Sequence, residues 1–224
     1  MRKILLFTAL FSLTFLLACG DSKEEVQEEQ TFEITTEEKV DHDEVVMYLN
    51  GEEVTGDRYN LAYLQTKVQL FQLGQDVSDQ EEIKQLALEA LLEQELLQQD
   101  ATEKGIEVAE EDVEEELSLI KSESQDSFDA FLEAYSFDES SYKMMLSFAM
   151  LYDKYIADQF PNIEVTDEEV EAAYDEIKSD NEEIAAFEDI KESLRSGLAR
   201  QKESEKMQER IDSLKDKAEI ETNI

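Results

Sequence analysis

Residues that build turns and carry catalysis are scarce in this sequence. Its 224 residues include 6 Gly, 1 Pro, 1 Cys, 1 His and no Trp. Sheet-rich folds need many turns built from Gly and Pro, so their scarcity favours long helices joined by short connections. A single Cys also excludes a disulfide within the chain, and one His leaves little room for imidazole chemistry. The expected fold is therefore mostly α-helical.

Basic residues are also in deficit. The 20 Lys and Arg are outnumbered by 58 Asp and Glu, which gives a formal net charge of -38. Such a charge repels nucleic acid phosphates and anionic lipid headgroups, so we predict no nucleic acid partner. The lone His42 lies between Asp41 and Asp43, where a solvated linker residue is favoured over a metal ligand. We predict neither a metal site nor a cofactor.

The N-terminus has the pattern of an export signal. Residues 1–3 start it with positive charge, and Ile4 to Ala18 form an apolar run too short for a comfortable permanent membrane helix. The run ends in Leu-Leu-Ala-Cys-Gly at residues 16–20, which matches the bacterial lipobox. This match predicts a signal peptide at 1–18, cleavage before Cys19, and lipid attachment to its sulfur. It favours extracytoplasmic anchoring to a bacterial cell membrane, as in Gram-positive species.

Residues 19–44 resemble a tether more than a folded segment. Residues 20–44 hold eleven carboxylates and two Lys but few apolar side chains. A segment of that composition buries too little apolar surface to offset its loss of chain entropy. We therefore predict a disordered acidic tether, with the folded domain spanning residues 45–224.

Short β-strands are predicted at both ends of that domain. Val45 to Val54 is β-branched and aromatic, and its central Asn50-Gly51 suits a two-residue type I′ turn. Residues 218–224 alternate between apolar and polar side chains, as a strand does. Because an isolated terminal strand needs a partner, we predict that it pairs with the hairpin.

Helices are predicted between these two strand regions. Their boundaries are marked by S/T-x-x-E capping boxes and by Gly or Pro at the ends. The predicted segments are Thr55 to Gly74, Ser78 to Gly105, Ile106 onward, Ser124 to Ala134, Ser136 to Phe160, Thr166 onward, and a long final helix from Ala185.

One segment of the fifth helix is rich in Met and aromatic residues on more than one face. Such side chains either fill a helix-bundle core or form an adaptable surface for apolar partners. Both interpretations can hold for different faces. The candidate client-binding residues are Tyr142, Met144, Met145, Phe148, Met150, Tyr152 and Tyr155.

A serine-lysine pair in the same helix has the spacing of a catalytic motif. Ser140 and Lys143 fit the S-x-x-K pattern of penicillin-recognising enzymes. The partner motifs of those enzymes are absent, and the first turn of an ordinary helix explains the residues equally well. We predict no catalytic residues.

Several phrases resemble, in order, the extracytoplasmic foldases and chaperones of the PrsA and SurA kind. The resemblance covers roughly residues 45 to 224. Its most specific parts are the opening at 45–54, the leucine-rich run at 87–97 with Gly-Ile-Glu-Val at 105–108, Val-Thr-Asp-Glu-Glu-Val at 165–170, and the ending at 190–221. It implies a helical chaperone cradle like the SurA N-terminal domain, closed by pairing of its first and last strands.

The resemblance also identifies a missing module. In that family a parvulin-type peptidyl-prolyl isomerase domain normally follows the helix that begins at residues 165–167. Here only Ser179 to Ala185 separate that helix from the final one, whereas an independent domain needs at least ~50 residues. This implies that the isomerase insert is absent between about residues 178 and 186, and that the protein is not an enzyme.

Together these features predict a lipid-anchored, extracytoplasmic chaperone that holds unfolded secreted polypeptides without catalysing proline isomerisation. The alternative is a structural or scaffold lipoprotein that binds one specific partner of a membrane or cell-wall complex. Pull-down experiments distinguish the two, because a chaperone recovers many unfolded proteins and a scaffold recovers one folded partner.

Overall fold

A computed structural model of the chain describes residues 32–180 and 184–224. The predicted signal peptide, Cys19 and the first part of the predicted tether lie outside the described residues. Among those that are described, no helix is both long and apolar enough to cross a membrane.

The described chain is mostly helical, as predicted, with one small antiparallel sheet. Most helices lie in the predicted places, although several boundaries differ by a few residues. In chain order, the elements after a short 3₁₀ turn at Thr36–Glu38 are β1 (Val45–Leu49), β2 (Glu52–Thr55), α1 (Gly56–Gln72), α2 (Gln80–Glu103), α3 (Glu110–Tyr135), α4 (Glu139–Gln159), α5 (Asp167–Asp180), α6 (Phe187–Lys215) and β3 (Ile220–Thr222).

The sheet confirms the predicted pairing of the two strand regions. Its strand order is β2-β1-β3, so β1 lies in the middle, and β3 pairs with it in antiparallel register, with Tyr48 opposite Glu221. Asn50 and Gly51 have φ values of 53° and 83°, the left-handed conformation that a type I′ turn requires. Segments far apart in sequence therefore close the domain.

The main core lies where this sheet packs against α1 and α2. It forms because β1 and the two helices each present apolar side chains towards one another. Its buried members are Val46, Met47, Leu49, Val54, Tyr59, Ala62, Tyr63, Ile83, Ala87, Leu91 and Leu96. We call this unit the body.

Helix ends follow the sequence signals, with two shifts of register. Thr166 and Glu169 form the predicted capping box at the start of α5. At α2 and α4, however, the caps are Asp79 and Asp138, one and two residues beyond the predicted Ser78 and Ser136. Carboxylates accept the free backbone N–H groups of a first turn at least as well as a Ser hydroxyl does.

The third and fourth predicted helices form one kinked element. Within α3, Ser124 has an extended backbone (φ -161°, ψ 84°) that interrupts the helix. The break lies where the sequence predicted a new helix to begin. The second half of α3 therefore runs separately towards the start of α4.

The segment from Phe32 to Glu44 corrects the predicted extent of the disordered tether. It packs on the folded domain, and we call it the strap. Its Glu38 is buried and accepts hydrogen bonds from Tyr63 and Lys67. Composition gave no sign of this, because the strap is held mainly by specific polar contacts rather than by a run of apolar residues.

Polar side chains and backbone contacts hold the second half of the strap. The Asn60 side chain both accepts a hydrogen bond from Val40 N (3.0 Å) and donates one to Val40 O (2.9 Å). The backbone carbonyl of His42 accepts from Asp57 N at 3.2 Å. Gly56 lies so close to the strap that an added Cβ would overlap the Asp41 carbonyl oxygen.

Helices α5 and α6 form an antiparallel hairpin that we call the arm, residues 164–180 and 184–206. The connection from Asp180 to Phe187 has six residues. Near it, the rings of Tyr174 and Phe187 meet edge to face, 5.2 Å apart, and Tyr174 Oη donates to Ala185 O at 3.1 Å. Val170 is the only buried residue among the arm's described side chains.

Candidate functional site

Helix α4 has few fully buried residues although it is rich in apolar side chains, and it carries all the predicted client-binding residues. Its N-terminus is fixed by Asp138, whose carboxylate accepts from Ser141 N at 2.6 Å. Within its 21 residues only Leu151 and Tyr155 are buried, while most of its other side chains are half-buried. The helix therefore packs along one narrow strip and leaves apolar surface on either side of it.

The first turns of α4 join an aromatic cluster. The Tyr142 ring meets Phe128 edge to face at 4.9 Å, and lies 6.0 Å from Phe131. Burial raises the pKa of the Tyr142 hydroxyl. Met144 and Met145 pack on the same cluster, whose buried members are Leu61, Leu64, Val68 and Phe137.

The second half of α4 packs against α2 and α6. Phe148 and Tyr152 are partly buried against a cluster that includes Leu97 and Met207. Burial raises the pKa of Tyr152, and the nearby carboxylate of Glu203 raises it further. Met150 is half-buried but belongs to none of the buried clusters of the described chain.

Tyr155 is a core residue and not part of any surface. Its side chain is fully buried, and its hydroxyl donates to Asp100, which also pairs with Arg210 and Lys104. Burial raises the pKa of Tyr155 to about 12, and its hydrogen bond to the Asp100 carboxylate adds to this effect. The tyrosine thus ties α4 to α2 and α6.

Asp100 is the centre of that polar cluster. Burial by itself would raise the pKa of this carboxyl, but hydrogen bonds from Arg210, Tyr155 and Lys104 hold it at about 2. The cluster joins side chains from α2, α4 and α6. It fixes the C-terminal half of α4, the base of the helix. The apolar N-terminal half of α4 therefore extends from an anchored segment.

Two recesses lie beside the exposed part of α4. One, of about 120 Å³, opens between α1, α2 and α4 and is lined by Arg58, Leu61, Gln65, Gln94, Gln98, Met144, Met145, Ser147 and Phe148. The other, of about 400 Å³, lies between the strap, α1 and the start of α4, with Met144 in its wall. Of the predicted residues, Met144, Met145 and Phe148 thus line open space.

The S-x-x-K pair does not form a nucleophile and its base. The Lys143 ammonium is paired with the carboxylates of Glu110 and Glu114 on α3. Its hydrogen bonds, first to Glu114 and then to Glu110, raise its pKa, which opposes a role as a proton acceptor. Within residues 32–180 and 184–224, no group of three or more His, Cys, Asp or Glu side chains is placed to hold a metal ion.

These features define a helical domain, closed by a small sheet, that presents a half-exposed Met and aromatic surface beside two recesses. The sequence-family model of the SurA-like N-terminal domain matches residues 3–160, and the chain belongs to that family. The chain is also 29% identical over 197 residues to a protein named "Foldase protein PrsA" from Caldanaerobacter subterraneus subsp. tengcongensis. The match covers 83% of this chain and 55% of that relative, so the chain spans little more than half of the relative's length.

Proposed function

We propose that this protein is a membrane-anchored extracytoplasmic lipoprotein that holds unfolded secreted polypeptides without catalysing proline isomerisation. The observation that carries the proposal is the half-exposed face of α4 beside two recesses, in a domain of the SurA-like family. Unbranched Met and flat aromatic side chains adapt to many apolar sequences, which suits a protein that must bind diverse clients.

Charge supports the same role. A net charge of -38 keeps copies of the protein apart and away from anionic headgroups. Lipid on Cys19 would then hold it at the membrane where secreted chains emerge. More than one acyl chain is needed for stable anchoring, since a single chain binds only marginally.

The short α5–α6 connection supports the absence of isomerase activity. Its six residues are far fewer than the ~50 that an independent domain needs. The Tyr174 and Phe187 contact brings the two helices together next to that connection. The arm therefore has the form of a closed hairpin where the resemblance places a catalytic domain.

Site-specific photo-cross-linking tests client holding. A cross-linker at Ser147, in the wall of the α1–α2–α4 recess, should capture many unfolded secreted proteins. The same cross-linker at Glu115, exposed on α3, serves as the matched control and should capture few. Capture of one folded protein in a fixed ratio at Ser147 would instead support the scaffold alternative.

Two further measurements test the remaining parts of the proposal. The protein should delay aggregation of an unfolded secreted client, yet leave the isomerisation rate of a proline peptide at its uncatalysed value. A Cys19→Ala chain should be released from the membrane fraction. Clear acceleration of isomerisation, or unchanged membrane retention of the variant, would contradict the corresponding claim.

A further inference from the structure

The first residues of the strap occupy an apolar groove in the manner of a bound peptide. Phe32 inserts its ring between α1 and the end of α3, with ring centroids 5.6 Å from both Phe71 and Tyr135 in edge-to-face geometry. Ile34, two residues later, packs on the same cluster as Phe131. Glu33, between them, points outward and is exposed. An aromatic-x-aliphatic segment therefore places its two apolar side chains in the groove and its central side chain in solvent.

Recognition of this segment requires only two side chains of a given chemical class and one backbone group. The polar contact at its centre is from the Lys67 ammonium to the backbone carbonyl of Glu33, at 2.6 Å. Any residue offers that carbonyl, so the contact positions a chain without reading its sequence. The apolar contacts ask only for an aromatic ring and an aliphatic side chain two positions apart.

The two halves of the strap are held differently. From Thr35 onward it is anchored by the buried Glu38–Lys67 ion pair and by both bonds between Asn60 and Val40. Phe32 and Ile34 are only partly buried. The anchored half can therefore stay in place while the first three residues leave the groove.

The groove is continuous with the surface proposed to hold clients. Phe131, which lies 5.5 Å from the stacked ring of Phe137, also approaches Tyr142 of α4 at 6.0 Å. Met144 and Met145 belong to the same cluster as Phe32 and Ile34. A client segment that extends along α4 into the groove would meet the strap.

We infer that this groove is a binding site for extended aromatic-x-aliphatic segments of unfolded polypeptides, and that Phe32-Glu33-Ile34 is its built-in competitor. The inference rests on the proposed holding function. A client binds the groove only when the strap has left it, so the client's apparent association constant is its intrinsic value multiplied by the fraction of time for which the groove is free. Because of this competition, only segments with sufficient affinity for the groove displace the strap, and weakly apolar chains are not bound.

A double substitution in the full chain tests the competition. Phe32→Ala with Ile34→Ala should free the groove and tighten binding of a labelled peptide of residues 30–36 on the order of tenfold, if the strap fills the groove about nine-tenths of the time. Glu33→Ala is the matched control, because its exposed side chain lies outside the groove while its carbonyl remains. It should leave the peptide affinity unchanged. Equal affinity for the parent chain and the double variant would overturn the inference.

A second measurement does not depend on a variant that empties the groove. Since the chain has no Trp, Phe32→Trp provides a single Trp at the groove, whose emission can be excited apart from that of the tyrosines. Addition of an unfolded client that lacks Trp should shift its emission to the red as the strap is released into water. Emission that stays constant while the client is demonstrably held would overturn the competition.

The outcomes separate this inference from the proposed function. If the double variant binds the peptide tightly but no unfolded protein is held by any form, the groove stands and the holding function fails. If parent and double variant hold an unfolded client equally and neither binds the peptide, holding stands and the groove inference is overturned.

Discussion

The body and the arm hold their helices together by different interactions. In the body, side chains such as Tyr63 and Leu91 are almost completely buried between the sheet, α1 and α2. In the arm, one buried Val170 is supplemented by ion pairs at the surface, such as Arg195 with Asp167 and Lys202 with Glu169. Exposed pairs contribute roughly 0–1 kcal/mol each, against about 1.5–3 kcal/mol for burying one large apolar side chain.

This difference divides the roles of the two regions. The body carries the stability of the fold and supports the surface on α4. The arm contributes little to that stability, so it should open locally well before the body unfolds. Mutations that compare the two regions in matched pairs test this division directly.

The largest expected difference comes from deleting a leucine side chain in each region. Leu91→Ala, at a fully buried position of α2, should lower the free energy of unfolding by about 3 kcal/mol, because it removes apolar contacts and leaves a cavity. Leu194→Ala, at a half-buried position of α6, should cost less than about 1 kcal/mol. Urea unfolding followed by circular dichroism measures both. Equal losses would show that the arm belongs to the main cooperative unit.

A pair of glycine substitutions should act in opposite directions. Gly56→Ala places a methyl group against the Asp41 carbonyl, and we expect a loss of about 2 kcal/mol as the strap or the start of α1 shifts. Gly197→Ala, inside α6, meets no atom within 4 Å and should stabilise by roughly 0.5–1 kcal/mol through helix propensity. Thermal unfolding of both variants checks the signs. A neutral Gly56→Ala would mean that the strap is not tightly seated.

Acid should weaken the base of α4 more than the arm. Asp100 has a folded pKa of about 2 against an ordinary value of 3.8. The ionised carboxylate therefore contributes to the free energy of unfolding above the ordinary pKa, and this contribution is lost as the pH falls towards 2. The parent and Asp100→Asn differ in their free energy of unfolding. This difference, the stability gap, should become smaller by about 2 kcal/mol as the pH falls from 5 to 2. The control is Asp167→Asn: hydrogen bonds from Arg195 and Lys191 lower the pKa of this carboxyl too, but it is solvent-exposed, so its gap should change far less. A gap for Asp100→Asn that is independent of pH would contradict the ion-pair assignment.

The smallest expected effect is local to the arm. Arg195 pairs with Asp167 and donates to Val165 O at 2.6 Å, next to the start of α5. Arg195→Ala should accelerate hydrogen exchange of the α5 amides several-fold, while β1 and α2 are unaffected. Arg200→Ala, at an exposed position of the same helix, is the matched control. Faster exchange throughout the body would contradict the division of roles.

Local sequence signals predicted the architecture well where a residue type is typical of one backbone conformation, as Gly and Asn are of left-handed turn positions. Asn50-Gly51 identified the hairpin, and Gly74, with its φ of 69°, marked the region where α1 ends. Pairing of β3 with β1 followed because a single strand at the end of the domain needs a partner. Shifts to Asp79 and Asp138 occurred because several neighbouring residues could cap the same helix.

Long-range polar contacts could not be predicted in the same way. The Asp100–Tyr155 and Asp100–Arg210 bonds join residues 55 and 110 positions apart, and the sequence gives no measure of those distances in space. Two features of the sequence did indicate an ordered strap. They are the Thr35-x-x-Glu38 capping pattern and the position of Lys67 within the apolar face of α1. A charge on a buried face implies a partner, and that partner was Glu38.

The position of β1 in the middle of the sheet has a consequence for the order in which the chain folds. One of its two neighbours, β3, lies far along the chain. Just after β3, the Asn223 side chain donates a hydrogen bond to Val45 O, 178 positions away. Until that segment has been synthesised, one edge of β1 remains unpaired and open to other extended chains. The incomplete chain can therefore aggregate through this edge, and it stays exposed to that risk until residues 220–222 are available to pair.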